Sequence, residues 1–308
     1  MPNPAGEDEL TAWVALHSVE GMGAATLARL LARFGSPEGV LRATPDELAR
    51  VPKLPRLVLD GVCDAARQLD RHREVAAQLA AHQAQAIRRA DPAYPSRLQA
   101  LASPPPLLYV RGHLPRDNRR TFGIVGATRA SDHGRHVATT VAHGLAARGW
   151  VIVSGHARGI DAAAHLGAFE AGQPTVFVLP TGILEFRPRP GYPSPDKMWR
   201  RSAAVSECHP QAPWNTPAAI ARNRLTAALS DCLLVVETGE TGGTMSTLRH
   251  AIALGRRTFV VRFREPTLSA AGNAAAEAAG AEPIHSLGEL ERLLAQPPRQ
   301  TGQRELRW

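Results

Sequence analysis

Six short, almost wholly apolar runs recur through the chain at helix-sized intervals: FGIVGA (122–127), VIVSG (151–155), TVFVLP (175–180), AAVSE (203–207), CLLVVET (232–238) and TFVVRF (258–263). Each suits a strand and is too short for a buried helix, while the stretches near 133–148, 159–172, 217–229 and 243–255 are patterned as helices. Unbroken apolar strands are buried on both faces, and helical crossovers between them make the pairing parallel. The pattern therefore predicts an α/β fold with a doubly wound, mainly parallel sheet. In such a sheet a ligand sits outside the carboxyl ends of the strands.

Upstream the pattern differs. Residues 10 to about 85 read as short helices broken by Gly/Pro turns, among them LTAWVALHSV, AATLARLLARFG and TPDELARV. The turn in EGMGAATLARLL resembles a helix-hairpin-helix, whose glycine lets backbone amides approach a DNA phosphate. A helical cap that packs or mediates protein contacts would use the same turn, and the second hairpin, expected near Val51 to Pro55, has Lys53 where a glycine is needed. DPAYPSRLQALASPPPLLYVRG (91–112) is stiff and helix-averse. The expected division is a small all-α domain over 1–88, a proline-rich connector over 89–118, the α/β domain over 119–296 and a mobile basic tail over 297–308.

The formal net charge of +8 favours a polyanionic partner such as nucleic acid. Arginine carries nearly all of it, since Lys53 and Lys197 are the sole lysines. A GC-rich genome would produce the same bias, so only arginines at strand-to-helix junctions bear on phosphate recognition. Cys63, Cys208 and Cys232 lie apart, without CxxC or histidine at ligand spacing, which indicates neither a disulfide frame nor a metal. No apolar run approaches the ~18 residues that span a bilayer, and MPNPAGEDEL lacks a signal peptide's basic and apolar regions. A cytoplasmic protein without a membrane partner is the expectation.

Four strand ends carry unusual residues and belong on one rim of the sheet. In GIVGATRASDHG, Gly126 permits close backbone approach and Arg129 projects from the loop. In VSGHARGIDAAAH, Ser154, Gly155, Arg158 and Gly159 precede a helix expected near Ile160, whose exposed amides and positive dipole end suit a phosphate. Asp161 is expected to cap that helix. In ARNRLTAALS, Arg222 and Arg224 flank Asn223 in the expected first turns of a helix, where cations call for an external anion or for an acidic neighbour such as Glu207. In VVETGETGGTMSTLRHA, Gly242, Gly243 and Thr244 form a small-residue loop opening a helix.

No GxGxxG or GxxxxGK[ST] occurs, and no carboxylate closes the second strand to hold a ribose, which disfavours a dinucleotide cofactor and excludes a P-loop. No catalytic constellation stands out among the 12 histidines; His156 and His165 lie nearest the junctions.

Taken together and in order, GATRASDHG, VSGHARGIDAAAHLGA, VSECHP, ARNRLTAALSDCLLVVETGETGGT and ALGRRTFVV resemble the DNA-processing protein A (DprA/Smf) family over roughly residues 10 to 265. The resemblance implies an extended Rossmann-like domain behind a sterile-alpha-motif-like helical domain. It also implies a homodimer without catalytic activity or cofactor that binds single-stranded DNA, protects incoming strands in natural transformation and helps load a RecA-type recombinase. By position, Arg129 matches the family arginine on DNA phosphates. Arg158, Arg222 and Arg224 resemble further walls of that pocket, with Gly155, Gly159 and Gly243 as backbone-approach positions.

Three features depart from the family pattern. LEFRPRPGYPSPDKMW inserts a proline- and arginine-rich run, so that Tyr192 and Pro193 come late and Asp196 stands nearest an expected asparagine. The usual SGS-like loop reads TGGT, and beyond residue 265 only AAGNAAAEAAG, a short strand and a last helix follow in place of a winged helix. Phe186, Tyr192 and Trp199 in the inserted loop are expected either to stack on bases or to pack against the sheet. Two other functions compete. One is nucleotide hydrolysis, as in the lysine-decarboxylase-like phosphoribohydrolases, although Leu248, Arg249 and His250 stand where their catalytic glutamate follows and only Glu237 and Glu240 lie near. The other is a nucleotide sensor in phage defence.

Overall fold

The computed structural model describes residues 6–265 and 267–296. Six helices come first: α1 (Glu7–His17), α2 (Ala24–Phe34), α3 (Pro37–Arg42), α4 (Pro45–Ala49), α5 (Arg56–Arg67) and α6 (Leu69–Ala81). Local chemistry sets their ends. Ser36 and Thr44 cap α3 and α4, Thr44 within a reciprocal capping box with Glu47, and proline opens both helices. Lys53 adopts φ +56, the left-handed conformation for which glycine was expected, and its carbonyl accepts from Arg29 Nη2 at 3.2 Å.

From β3 to β8 the rest alternates as predicted, and β1, β2, α9 and α12 are added to it: β1 (Ala84–Arg88), β2 (Leu107–Gly112), β3 (Thr121–Val125), α7 (Asp132–Ala147), β4 (Val151–Ser154), α8 (Ile160–Glu170), β5 (Thr175–Val178), α9 (Pro195–Trp199), β6 (Ala203–Ser206), α10 (Thr216–Ala228), β7 (Cys232–Val235), α11 (Gly243–Ala253), β8 (Arg257–Val261), α12 (Asn273–Ala278), β9 (Glu282–Ile284) and α13 (Leu287–Ala295). The nine strands form one sheet in the order β1-β2-β6-β5-β4-β3-β7-β8-β9. From β6 through β9 every pairing is parallel, so the loops after these strands emerge on one rim. The winding direction reverses between β3 and β7, which places the crevice of a doubly wound sheet between their carboxyl ends.

Within the expected connector, 89–118, residues 107–112 form a strand of the sheet. Leu107–Gly112 pairs antiparallel with both β1 and β6. Pro104 to Pro106 stop just before that strand, at a position where a missing amide removes no ladder bond. Arg97 clamps the same segment from below through two bonds to Asp231, at 2.7 and 2.8 Å. The helical module packs against this sheet. One apolar cluster runs from Leu16, Leu30 and Leu79 to Tyr109, Phe177 and Trp199. The tail over 297–308 lies outside the described residues.

Candidate nucleic-acid interface

The loops after β3 and β4 interlock at the crevice. Gly126 lies where a Cβ would come within 2.6 Å of Ile160 Cγ1 and 2.9 Å of the Glu237 carbonyl. Gly159, at φ +74, abuts the carbonyls of Ala127 and Thr128, and the Ile160 amide donates to Ala127 O at 3.2 Å. These glycines were expected to let a ligand approach; they bring two loops of the protein together. Ser154 is likewise internal, fully buried and donating to the Ile124 carbonyl at 2.6 Å.

That interlock leaves the arginines of both loops outside it. Arg129 and Arg158 are exposed. None of the ion pairs among the described residues engages either of them. Beside them, α11 begins at Gly242, φ +111, with no side-chain acceptor for its first-turn amides and open space where a Cβ would sit. Gly243 is exposed and Thr244 half-buried. Two guanidinium groups and one uncapped helix start thus share the rim at the switch point, an arrangement suited to phosphate oxygens.

Arg222, Asn223 and Arg224 belong to α10, but not to its first turn. Asn215 caps the helix by accepting from the Ala218 amide at 2.7 Å, which puts the arginines two turns inside. The dipole argument for an external anion therefore does not apply to them. Arg222 is 8% exposed and fills the space over Gly155, its Nε unpartnered. Burial lowers its pKa, and the nearby carboxylate of Asp161 opposes that shift. Asn223 Nδ2 donates to the Gly243 carbonyl at 3.0 Å and ties α10 to the start of α11. Arg224 is paired with Glu207, the acidic neighbour expected as the alternative to an external anion.

Asp161 does not cap α8. Its carboxylate reaches back to the Ala157 amide at 3.1 Å and is buried beside Arg222. Burial raises its pKa against the pull of Arg222 and the loop amides. Glu237, one of the two acids near enough to replace a missing catalytic glutamate, is wholly buried and accepts from the Ser131 amide at 2.9 Å, the Ser131 hydroxyl and the Thr267 hydroxyl at 2.9 Å. Burial would raise its pKa, but those hydrogen bonds outweigh it and hold the carboxyl below its usual value. Such a group is held inside the fold, with no exposed surface to offer a substrate.

The inserted aromatics pack. Phe186 and Trp199 are 5% and 7% exposed, their ring centroids 4.9 Å apart, and Tyr192 is half-buried against Phe169. His156 clamps the insert, its ring stacked on Phe186 at 4.6 Å and its Nε2 donating to the Arg187 carbonyl at 3.0 Å, while Arg189 donates back to the His156 carbonyl at 2.7 Å. Burial, followed by the charge of Arg189, lowers His156 to about 4. His165, buried, shares a 2.7 Å hydrogen bond with Thr175.

A model of the family described as DNA recombination-mediator protein A matches residues 85–294. The chain belongs to that family. The first part of the chain matches a SAM-like helix-hairpin-helix tandem over residues 14–68, which includes the hairpin at Lys53. Protein Smf of Synechocystis, a relative of this DprA/Smf family member, is 31% identical over 263 residues, 80% of this chain and 63% of its own length. The alignment with the Bacillus subtilis DNA processing protein DprA spans 57% of that protein. The chain thus covers less than two thirds of these relatives. DprA from Streptococcus pneumoniae shares the fold, with a TM-score of 0.73 at 22% identity over 92% of this chain and 97% of that one. DprA from Helicobacter pylori, whose structure concerns a single-stranded DNA binding mode, gives 0.58 at 26% identity over 69% of this chain and 95% of that one.

Two features of the site escaped the sequence. Asn273, within AAGNAAAEAAG, donates to the carbonyls of Val236 and Val261 and accepts from the Thr238 amide, joining the ends of β7 and β8. Its signal was a lone polar residue in an alanine run. The other is Trp214, 63% exposed on the rim. A cleft of about 1300 Å³ between α6, β1 and residues 113–117 opens at the opposite end of the sheet, away from these arginines.

Proposed function

We propose that the chain binds single-stranded DNA without catalysis, holding successive phosphates along the rim of its sheet. The observation that carries this reading is the pair Arg129 and Arg158, both exposed and without ion-pair partners at the switch point, beside the uncapped start of α11. The net charge of +8 agrees with a polyanionic ligand. Family membership extends the reading to protection of incoming strands and loading of a RecA-type recombinase by a homodimer in natural transformation. The burial of Glu237 speaks against the hydrolytic alternative, since its carboxylate is committed to Ser131 and Thr267.

The test is a titration of labelled oligo-dT across a salt series. Binding tight at low salt and weakening steeply as salt rises is expected, with the logarithmic salt slope reduced by about 0.7 for the phosphate that Arg129→Ala leaves without its cation, and again in Arg158→Ala. Absence of binding at low salt, or identical isotherms for the double variant, overturns the reading. Strand exchange by a RecA-type recombinase on protein-coated DNA, added in order, tests the mediator role.

A further inference from the structure

Four large apolar side chains are exposed among the described residues, Leu57, Trp214, Ile220 and Leu268, and of these Trp214, 63% exposed, is the one aromatic ring; Ile220, six residues on, is 53% exposed. Both belong to the crossing from β6 to α10. Because α10 connects β6 on one flank to β7 on the other, it passes over the middle of the sheet, and the contact of Arg222 with Gly155 fixes that crossing at the end of β4. The start of α10 at Thr216 lies six residues before Arg222, about 9 Å along the axis at 1.5 Å per residue, and Trp214 precedes that start. β4, β5 and β6 run parallel, so the loops after β4 and β6, which carry Arg158 and Trp214, open on the same rim of the sheet.

Its support is rigid on both sides. Upstream, the Gly182 amide donates to the Ala212 carbonyl and the Ala212 amide to the His209 carbonyl, each at 2.8 Å, while Gln211 bonds Gln78 of α6 at 2.9 Å. Downstream, Asn215 caps α10. The indole is thus presented from a braced position and not from a loose loop. The other described tryptophans, Trp13, Trp150 and Trp199, are buried.

We propose that Trp214 is the stacking platform for a base of the strand whose phosphates lie on Arg129 and Arg158; this rests on the single-stranded DNA reading above. Every base has a π-face, so such a platform adds affinity without sequence preference. A phosphate-only rim would hold a strand by charge alone, whereas an indole beside it makes the bound strand single, because paired bases cannot offer their faces.

The experiment compares wild type, Trp214→Ala and Trp214→Phe on oligo-dT and on an abasic oligonucleotide of equal length. Trp214→Ala is expected to bind oligo-dT about five- to hundredfold more weakly, with the salt slope unchanged and the abasic strand bound as by wild type. Trp214→Phe should restore most of the affinity, and oligo-dT should quench the tryptophan emission of wild type more than that of Trp214→Phe. Equal oligo-dT affinity in wild type and Trp214→Ala overturns the platform while leaving the phosphate site standing. A loss of the same size on the abasic strand also overturns it, and would mean that the indole packs on backbone or on another protein. If wild type binds neither strand, the function reading fails and the platform with it.

Discussion

The guanidinium of Arg222 occupies the space above Gly155 where any other residue would carry its Cβ. A charged side chain on α10 and a glycine after β4 are thus one unit, 67 positions apart in the chain.

Substituting Gly155→Ala sets a methyl group against that guanidinium. Overpacking of this kind costs about 1–3 kcal/mol. In an Arg222→Ala background the same change should cost less, so a double-mutant cycle read by denaturant unfolding is expected to give a coupling between the two sites of about 1 kcal/mol or more. Strict additivity would separate them.

Arg224 and Glu207 form a half-buried ion pair, and Arg224→Met should leave the carboxylate uncompensated. Burial already raises the Glu207 pKa despite the attraction of Arg224. A carboxyl whose folded pKa is raised contributes most below its ordinary value and costs stability as pH rises through it. Removing the arginine raises that pKa further, so the variant should lose about 2 kcal/mol at pH 8 and distinctly less at pH 5, measured by chemical denaturation at both.

Acid should loosen the join between helices and sheet. The His17 ring meets the edge of Tyr109 at 5.6 Å, and burial, then the charge of His209, brings its pKa down to about 4. His209 is brought down to about 4 as well, by burial first and then by His72. Between the ordinary value of 6.5 and 4 the unfolded chain takes up protons that the fold refuses, so stability falls as pH drops through that window and levels off below it. Thermal midpoints from pH 7.5 to 4.5 are expected to fall less in His17→Leu than in wild type.

Phe186 and Trp199 should behave as core residues. Replacing either by alanine is expected to cost about 3–5 kcal/mol of stability. Where the variant remains folded, its affinity for oligo-dT should match wild type, a result that a DNA-stacking role would not produce.

The period of the apolar runs was enough to place β3 to β8 and the helices α7, α8, α10 and α11 to within three residues, because a strand buried on both faces admits hardly any polar residue. β1 and β2 were not separable in this way. AQAIR mixes polar with apolar positions, as suits an edge, and LLYVRG stands behind three prolines that read as a stiff linker. β2 takes its place in the sheet from pairing with β6, more than ninety residues away, and β1 from pairing with β2 in turn, which no local pattern contains.

The same division holds at the rim. Residue types at strand ends pointed to one edge of the sheet and singled out Arg129 and Arg158, which are exposed there, since the end of a parallel strand must emerge at that edge whatever else the chain does. Which arginines stay available, that Gly126, Gly155 and Gly159 serve internal contacts, and that Phe186 and Trp199 are buried while Trp214 is exposed were decided by tertiary structure alone. A side chain's partners are set by the elements packed against it, and the distance over which they are drawn together far exceeds the reach of any motif.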